Sequence, residues 1–192
     1  PSHIKQKPNG KVPFQYSLHI QDSLNSSVDS DDAHHKFLAE HSKDPRREIA
    51  EKMLKDLPET GSIITYYQTF ERGVIKDLAE FCTDLSEELL KLNDRIIDLM
   101  HPFSKGGYYH PDFEGKVSLK KVLPALCGEN KRLDYNNLNI RNGGMASSTF
   151  RELKEKDPEE VTKIRKDLLA YCFLDTYAMY AIYNELLLIV DT

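Results

Sequence analysis

The chain has only three cysteines, Cys82, Cys127 and Cys172, odd in number and far apart. That argues against a disulfide framework or a zinc knuckle and points to reduced, buried thiols. Positive charge is not in excess, and the formal net charge is −5. Broad electrostatic binding to nucleic acid wants the opposite balance. An enzyme that acts on nucleic acid survives this argument, because metal ions supply positive charge locally. No apolar run approaches the ~20 residues that cross a bilayer, and "ELLLIVDT" at the end is too short. No signal-peptide pattern opens the chain. These absences predict a cytoplasmic protein with no membrane partner. Neither "SKGG" (104–107) nor "NGG" (142–144) is followed by Gly-Lys-Ser/Thr, so there is no phosphate loop. His34, His35, His101 and His110 have no ligand spacing with any cysteine. There is no internal repeat and no low-complexity tract.

What remains is an ordinary globular composition, 40% hydrophobic and 30% charged. A length of 192 residues suits one domain with a core that needs no staples. Residues 1–12 are polar, with turn signals at Pro8, Asn9 and Gly10. "PFQYSLHI" (13–20) alternates apolar and polar residues and predicts a half-buried strand. After a Ser- and Asp-rich connection, "HHKFLAEH" (34–41) predicts a second strand that pairs back on it. "DPRREIAEKMLKDL" (44–57) reads as a helix with Asp44 as cap and Pro45 at its first position. Ile49, Met53 and Leu57 form its apolar face. "SIITYY" (62–67) has no alternation and predicts a strand buried on both faces.

A helix is expected from Glu71, and a second over "SEELLKLNDRIIDLM" (86–100). Residues 101–116 read as a loop rich in Gly, Pro and aromatics. "VSLKKVLPAL" (117–126) reads as a short helix closed by Pro124, and 127–144 as irregular. A helix over 145–156 follows. The cap-plus-Pro signal recurs at Asp157 and Pro158, and its helical pattern runs to about Val190 with a break expected near residue 170. Early strands and helices throughout give an α/β domain, most simply one sheet with helices packed on it.

Two places carry chemistry. Tyr171 and Asp175 stand four residues apart, on one face of a helix, about 5–6 Å apart at Cβ. The pair suits a shared site, and equally a structural Tyr–Asp hydrogen bond. Phe70 and Glu71 follow an apolar strand, where layered α/β folds assemble sites. Glu71 equally suits a helix start, where negative charge is favourable. Lys120 and Lys121 suit a phosphate backbone or solvent. Tyr108 and Tyr109 suit base stacking or loop packing.

An apolar strand, then Phe-acid, then Tyr-x-x-x-Asp on the last helix resembles the second and third motifs of DEDD-type 3′–5′ exonucleases. These are the DnaQ-like branch of the ribonuclease H-like superfamily. "SLKKVLPAL" resembles the helix many members carry between those motifs. The blocks "PFQYSLHI", "HHKFLAE", "DPR", "GSIITYYQTFE", "YYHP", "SLKKVLPAL" and "LLAYCFLDTYAM", in order, resemble a bacterial family described as domain of unknown function 2779.

The resemblance implies a ribonuclease H-like mixed sheet flanked by helices and a two-metal hydrolysis of single-stranded DNA or RNA ends. It implies Glu71 and Asp175 as ligands of Mg²⁺ or Mn²⁺, and Tyr171 as the group that positions the attacking water. Phe70, Lys120 and Lys121 would meet the substrate. Tyr67 stands where the second motif normally has Asn, and Glu71 where it normally has Asp. The Asp-x-Glu of the first strand is absent, since residues 1–12 contain no acid. That implies a fragment of a longer protein whose other domains are partners, lacking its first strand here and inactive alone. The alternative is a non-catalytic nucleic-acid-binding or protein-interaction module that keeps the fold.

Overall fold

Alternation from Phe14 to Ile20 builds strand β1 (Gln15–His19), and the turn residues after it return the chain as β2 (His34–Leu38). The two pair antiparallel, with Gln15 opposite Leu38 and His19 opposite His34. The computed structural model describes residues 12–23, 26–128 and 133–190. The turn signals at Pro8, Asn9 and Gly10 lie outside them.

Helix α1 (Arg46–Asp56) starts where the cap-plus-Pro signal places it, and the Asp44 carboxylate accepts the Arg46 N–H at 3.1 Å. At its other end Asp56 is buried. It accepts Tyr16 Oη at 2.6 Å and pairs with Lys52, which ties the hairpin to the helix.

Strand β3 (Ile63–Thr65) runs parallel to β4 (Ile96–Asp98), with Ile63 opposite Ile96 and Thr65 opposite Asp98. Between them lie α2 (Gln68–Phe81) and α3 (Ser86–Asp94). The helix expected over 86–100 therefore stops at Asp94. The β-branched pair Ile96–Ile97 leaves it and pairs with β3 instead, as the strand preference of β-branched residues favours. Instead of one sheet, the described residues form two separate two-stranded sheets, β1–β2 and β3–β4. The fold is mixed α/β.

The chain then makes a helical turn, α4 (His101–Ser104), inside the expected loop. Helix α5 (Leu119–Cys127) continues past Pro124. Pro124 removes the N–H that would reach the Lys120 carbonyl. Both residues are exposed, so water can satisfy that carbonyl. Helix α6 (Gly143–Glu152) follows, and α7 (Pro158–Val190) is one unbroken helix of 33 residues. The break expected near residue 170 does not occur, because residues 159–190 contain neither Gly nor Pro. Asp157 caps α7 by accepting the Glu160 N–H at 2.9 Å.

By length and composition α7 is long and apolar enough to cross a membrane, contrary to the expectation from its individual apolar runs. One of its faces, Leu168, Tyr171, Leu174, Ala178 and Ile182, is buried in the domain at helical spacing. Thr176 of α7 meets Ser17 Oγ at 2.8 Å and His19 Nδ1 at 2.9 Å, and Arg165 donates to the carbonyls of Leu38 and Ala39. These bonds seat α7 on the hairpin.

Two apolar clusters fill the interior. One joins α5, α6 and α7, and the other joins α1, α2, α3, β2 and β4. Phe14 and Phe150, stacked at 4.2 Å, pack against both. Ile63 faces one cluster and Ile64 the other, but both are only partly buried, short of the fully buried strand expected. All three cysteines are free. Burial pushes the Cys127 thiol up to about 11 and the Cys172 thiol up to about 12, so both stay protonated and inert at neutral pH.

Candidate functional site at the ends of β3 and β4

Parallel pairing brings the carboxyl ends of β3 and β4 to the same edge, where open α/β sheets collect functional groups. β4 ends in Asp98, which is 5% exposed. β3 runs through Tyr66 into a sharp corner at Tyr67 (φ 70°, ψ 65°), from which α2 departs. One turn into that helix stands Glu71.

The Glu71 Oε2 atom is buried and has no hydrogen-bond partner. Burial, with smaller contributions from the charges of Asp98 and Asp175, pushes the Glu71 carboxyl up to about 7. The helix start and the residue's own N–H favour the charged form, but they do not win. Asp175 belongs to the same group of interacting acids, although it comes from α7 more than a hundred residues later.

Asp175 faces two phenols. Tyr135 Oη donates to its Oδ1 at 2.6 Å, and the Tyr171 phenol lies beside the same carboxylate. The two rings lie 6.4 Å apart. Burial raises the Asp175 carboxyl, while the two phenols and the Lys120 ammonium oppose that rise. Both tyrosines are pushed up by burial and by the Asp175 charge, so they stay protonated and able to donate.

The structure thus gathers Glu71, Tyr171 and Asp175, and adds Asp98 and Tyr135, which sequence reasoning missed. The signal for Asp98 was an acid ending the apolar pair Ile96–Ile97. Tyr135 had no local signal. Lys120 stands above the Tyr135 ring at 4.8 Å and bonds the Arg141 carbonyl. Lys121 is turned to an ion pair with Glu114 at 2.6 Å, away from Asp175. Phe70 is 47% exposed beside Glu71. Tyr108 packs on Phe103 and Phe113 at the first cluster, whereas Tyr109 is largely exposed.

The raised acid has a consequence for stability. Between the ordinary value of 4.5 and the folded value of about 7, the folded chain binds more protons at Glu71 than the unfolded chain. Stability from this group is therefore greatest below pH 4.5 and falls as pH rises through about 7. Glu71→Gln is expected to match the parent protein near pH 4 and to exceed it at pH 8 by about 1–3 kcal/mol, discounted for partial exposure. Urea unfolding of both proteins at the two pH values checks this. Equal stabilities at pH 8 would show that the carboxylate is not strained by its surroundings.

A resident divalent cation, which the family resemblance implies, can be tested against these residues. Two hard carboxylates, one with an orphaned buried oxygen, fit part of an oxygen-donor site for Mg²⁺ or Mn²⁺. Among the described residues, no group of three or more ligand-type side chains is placed to hold a metal ion. The pair supplies two of the carboxylates that such a site would need.

The family model described as "Domain of unknown function (DUF2779)" matches residues 1–118. That span includes both sheets, Glu71 and Asp98, and stops before α5, Tyr171 and Asp175. No curated protein and no solved structure matches the chain. On the family match, the chain belongs to the DUF2779 family.

Proposed function

We propose that this chain is the larger part of a two-metal 3′–5′ exonuclease domain of the DEDD type, with a ribonuclease H-like fold. One observation carries the reading. A strand-end acid with an orphaned buried oxygen, Glu71, shares its surroundings with Asp175, and Asp175 lies beside the tyrosine one helical turn before it. An acid left unsatisfied in the interior costs stability and is most simply kept for a ligand.

Glu71 and Asp175 would hold the cations. When bound, these would activate a water and stabilise the leaving oxygen of a phosphodiester. Tyr171 Oη, beside Asp175, would orient that water. The exposed Phe70 ring and the Lys120 ammonium would meet the terminal base and phosphate of a single strand.

In this reading the first acidic pair sits on a strand that bridges β1 and β3, which lie in separate sheets. Residues 1–14 contain no acid, so the reading requires an acidic pair that the segment before β1 does not supply.

The test is a titration of Mn²⁺ followed by electron paramagnetic resonance. Residues 1–192 should bind it weakly, because two carboxylates replace too little of its water shell. Glu71→Gln and Asp175→Asn should each abolish that binding, and the exposed control Asp112→Asn should not. Binding that survives both site variants contradicts the assignment and favours the non-catalytic module.

A further inference from the structure

We infer that Asp98 is the positioning residue of this site: its carboxylate clamps the left-handed corner at Tyr67 and so sets where Glu71 stands. The inference rests on Glu71 belonging to the site, but on no property of a bound cation.

The corner needs a clamp. Tyr67 has φ 70°, in the left-handed region that L side chains disfavour. Its ring is 55% exposed, so burial of the side chain is not what holds it there. Helix α2 also begins without a side-chain cap of its own, since Tyr67 offers no acceptor to the first turn. The amides of Tyr67 and Gln68 would be left without partners.

Asp98 supplies those partners from another element. Its Oδ1 accepts the Tyr67 N–H at 2.9 Å and its Oδ2 accepts the Gln68 N–H at 3.0 Å. Oδ1 also accepts the Met100 N–H at 3.0 Å, which orients the carboxylate from its own chain. A buried acid with three amide donors is a satisfied group, unlike Glu71 beside it. The register that sets Thr65 opposite Asp98 delivers the carboxylate to the corner.

A brace completes the arrangement. Arg72 donates from Nε to Gln68 Oε1 at 2.7 Å and from its other end to the Ile96 carbonyl at 3.2 Å. The first turn of α2 is thereby tied to both ends of β4, at Ile96 and at Asp98. Glu71 follows Gln68 by three residues and inherits its place.

The experiment uses Asp98→Asn and Asp98→Ala, read by amide proton shifts and by hydrogen exchange. In the parent protein the Tyr67 and Gln68 amides should lie downfield, as carboxylate-bonded amides do. In Asp98→Ala they should move upfield, and their exchange should speed at least tenfold relative to Leu78 in the same helix. Asp98→Asn keeps an acceptor oxygen and should restore part of both signals. A residue that merely supports the fold would speed exchange throughout α2 alike, and that pattern overturns the proposal, as do unchanged Tyr67 and Gln68 amides.

If the single variants do not fold, Tyr67→Gly decides. Glycine adopts positive φ without strain, so Tyr67→Gly combined with Asp98→Asn should fold. A double variant that still fails to fold overturns the proposal. None of these measurements involves nucleic acid or metal, so an intact clamp in a protein whose Mn²⁺ binding survives Glu71→Gln and Asp175→Asn sinks the exonuclease reading alone.

Discussion

Leu168→Ala is expected to destabilise the protein by about 2–5 kcal/mol. Leu168 is 0% exposed and sits in the cluster that joins α5, α6 and α7. Removing its side chain loses the transfer energy of three carbons and leaves a cavity that a packed helix cannot close. The same helix supplies an internal control. Leu188 is 62% exposed near its end, and Leu188→Ala should stay within about 0.5 kcal/mol of the parent. Urea unfolding with an unchanged m-value measures both. A small loss at Leu168 would mean that α7 is not seated in the core. Asp175 would then have no reason to meet Glu71.

The local signals in the sequence were the ones that held. Asp44–Pro45 and Asp157–Pro158 fix two helix starts by capping and by the preset φ of proline, neither of which needs a distant partner. β1 showed through alternation, and β2 through a spacing that suits a hairpin with a long loop. β4 did not show. It is three residues long and follows a helix of strong helix formers, so no period separates it from α3. What makes it a strand is its pairing with β3, more than thirty residues away.

The division into two sheets is also a non-local outcome. The break expected in α7 rested on typical helix length, whereas the absence of Gly and Pro lets the helix run on. At the site, the four-residue spacing of Tyr171 and Asp175 placed them together. Tyr135 reaches the same carboxylate only because the segment after α5 folds back over α7. Lys120 and Lys121 are neighbours in sequence but point about 100° apart on a helix, so sequence alone could not say which one serves Asp175.

Asp175→Ala is expected to reduce metal-dependent nuclease activity to background. Loss of a group that merely orients a metal ligand already costs about 10–100-fold, and loss of the ligand itself should cost more. Tyr171→Phe should fall between the parent and Asp175→Ala, since it removes the hydroxyl and leaves the carboxylate bonded to Tyr135. The decisive measurement is degradation of end-labelled single-stranded DNA and RNA with Mn²⁺. It is run on residues 1–192, on the chain extended upstream through an Asp-x-Glu strand, and on the Asp175→Ala form of each. The account predicts no activity from residues 1–192, activity from the extended chain, and none from the extended chain carrying Asp175→Ala. Activity in either chain that survives Asp175→Ala, or an extended chain with the acidic pair that degrades neither substrate, would contradict it.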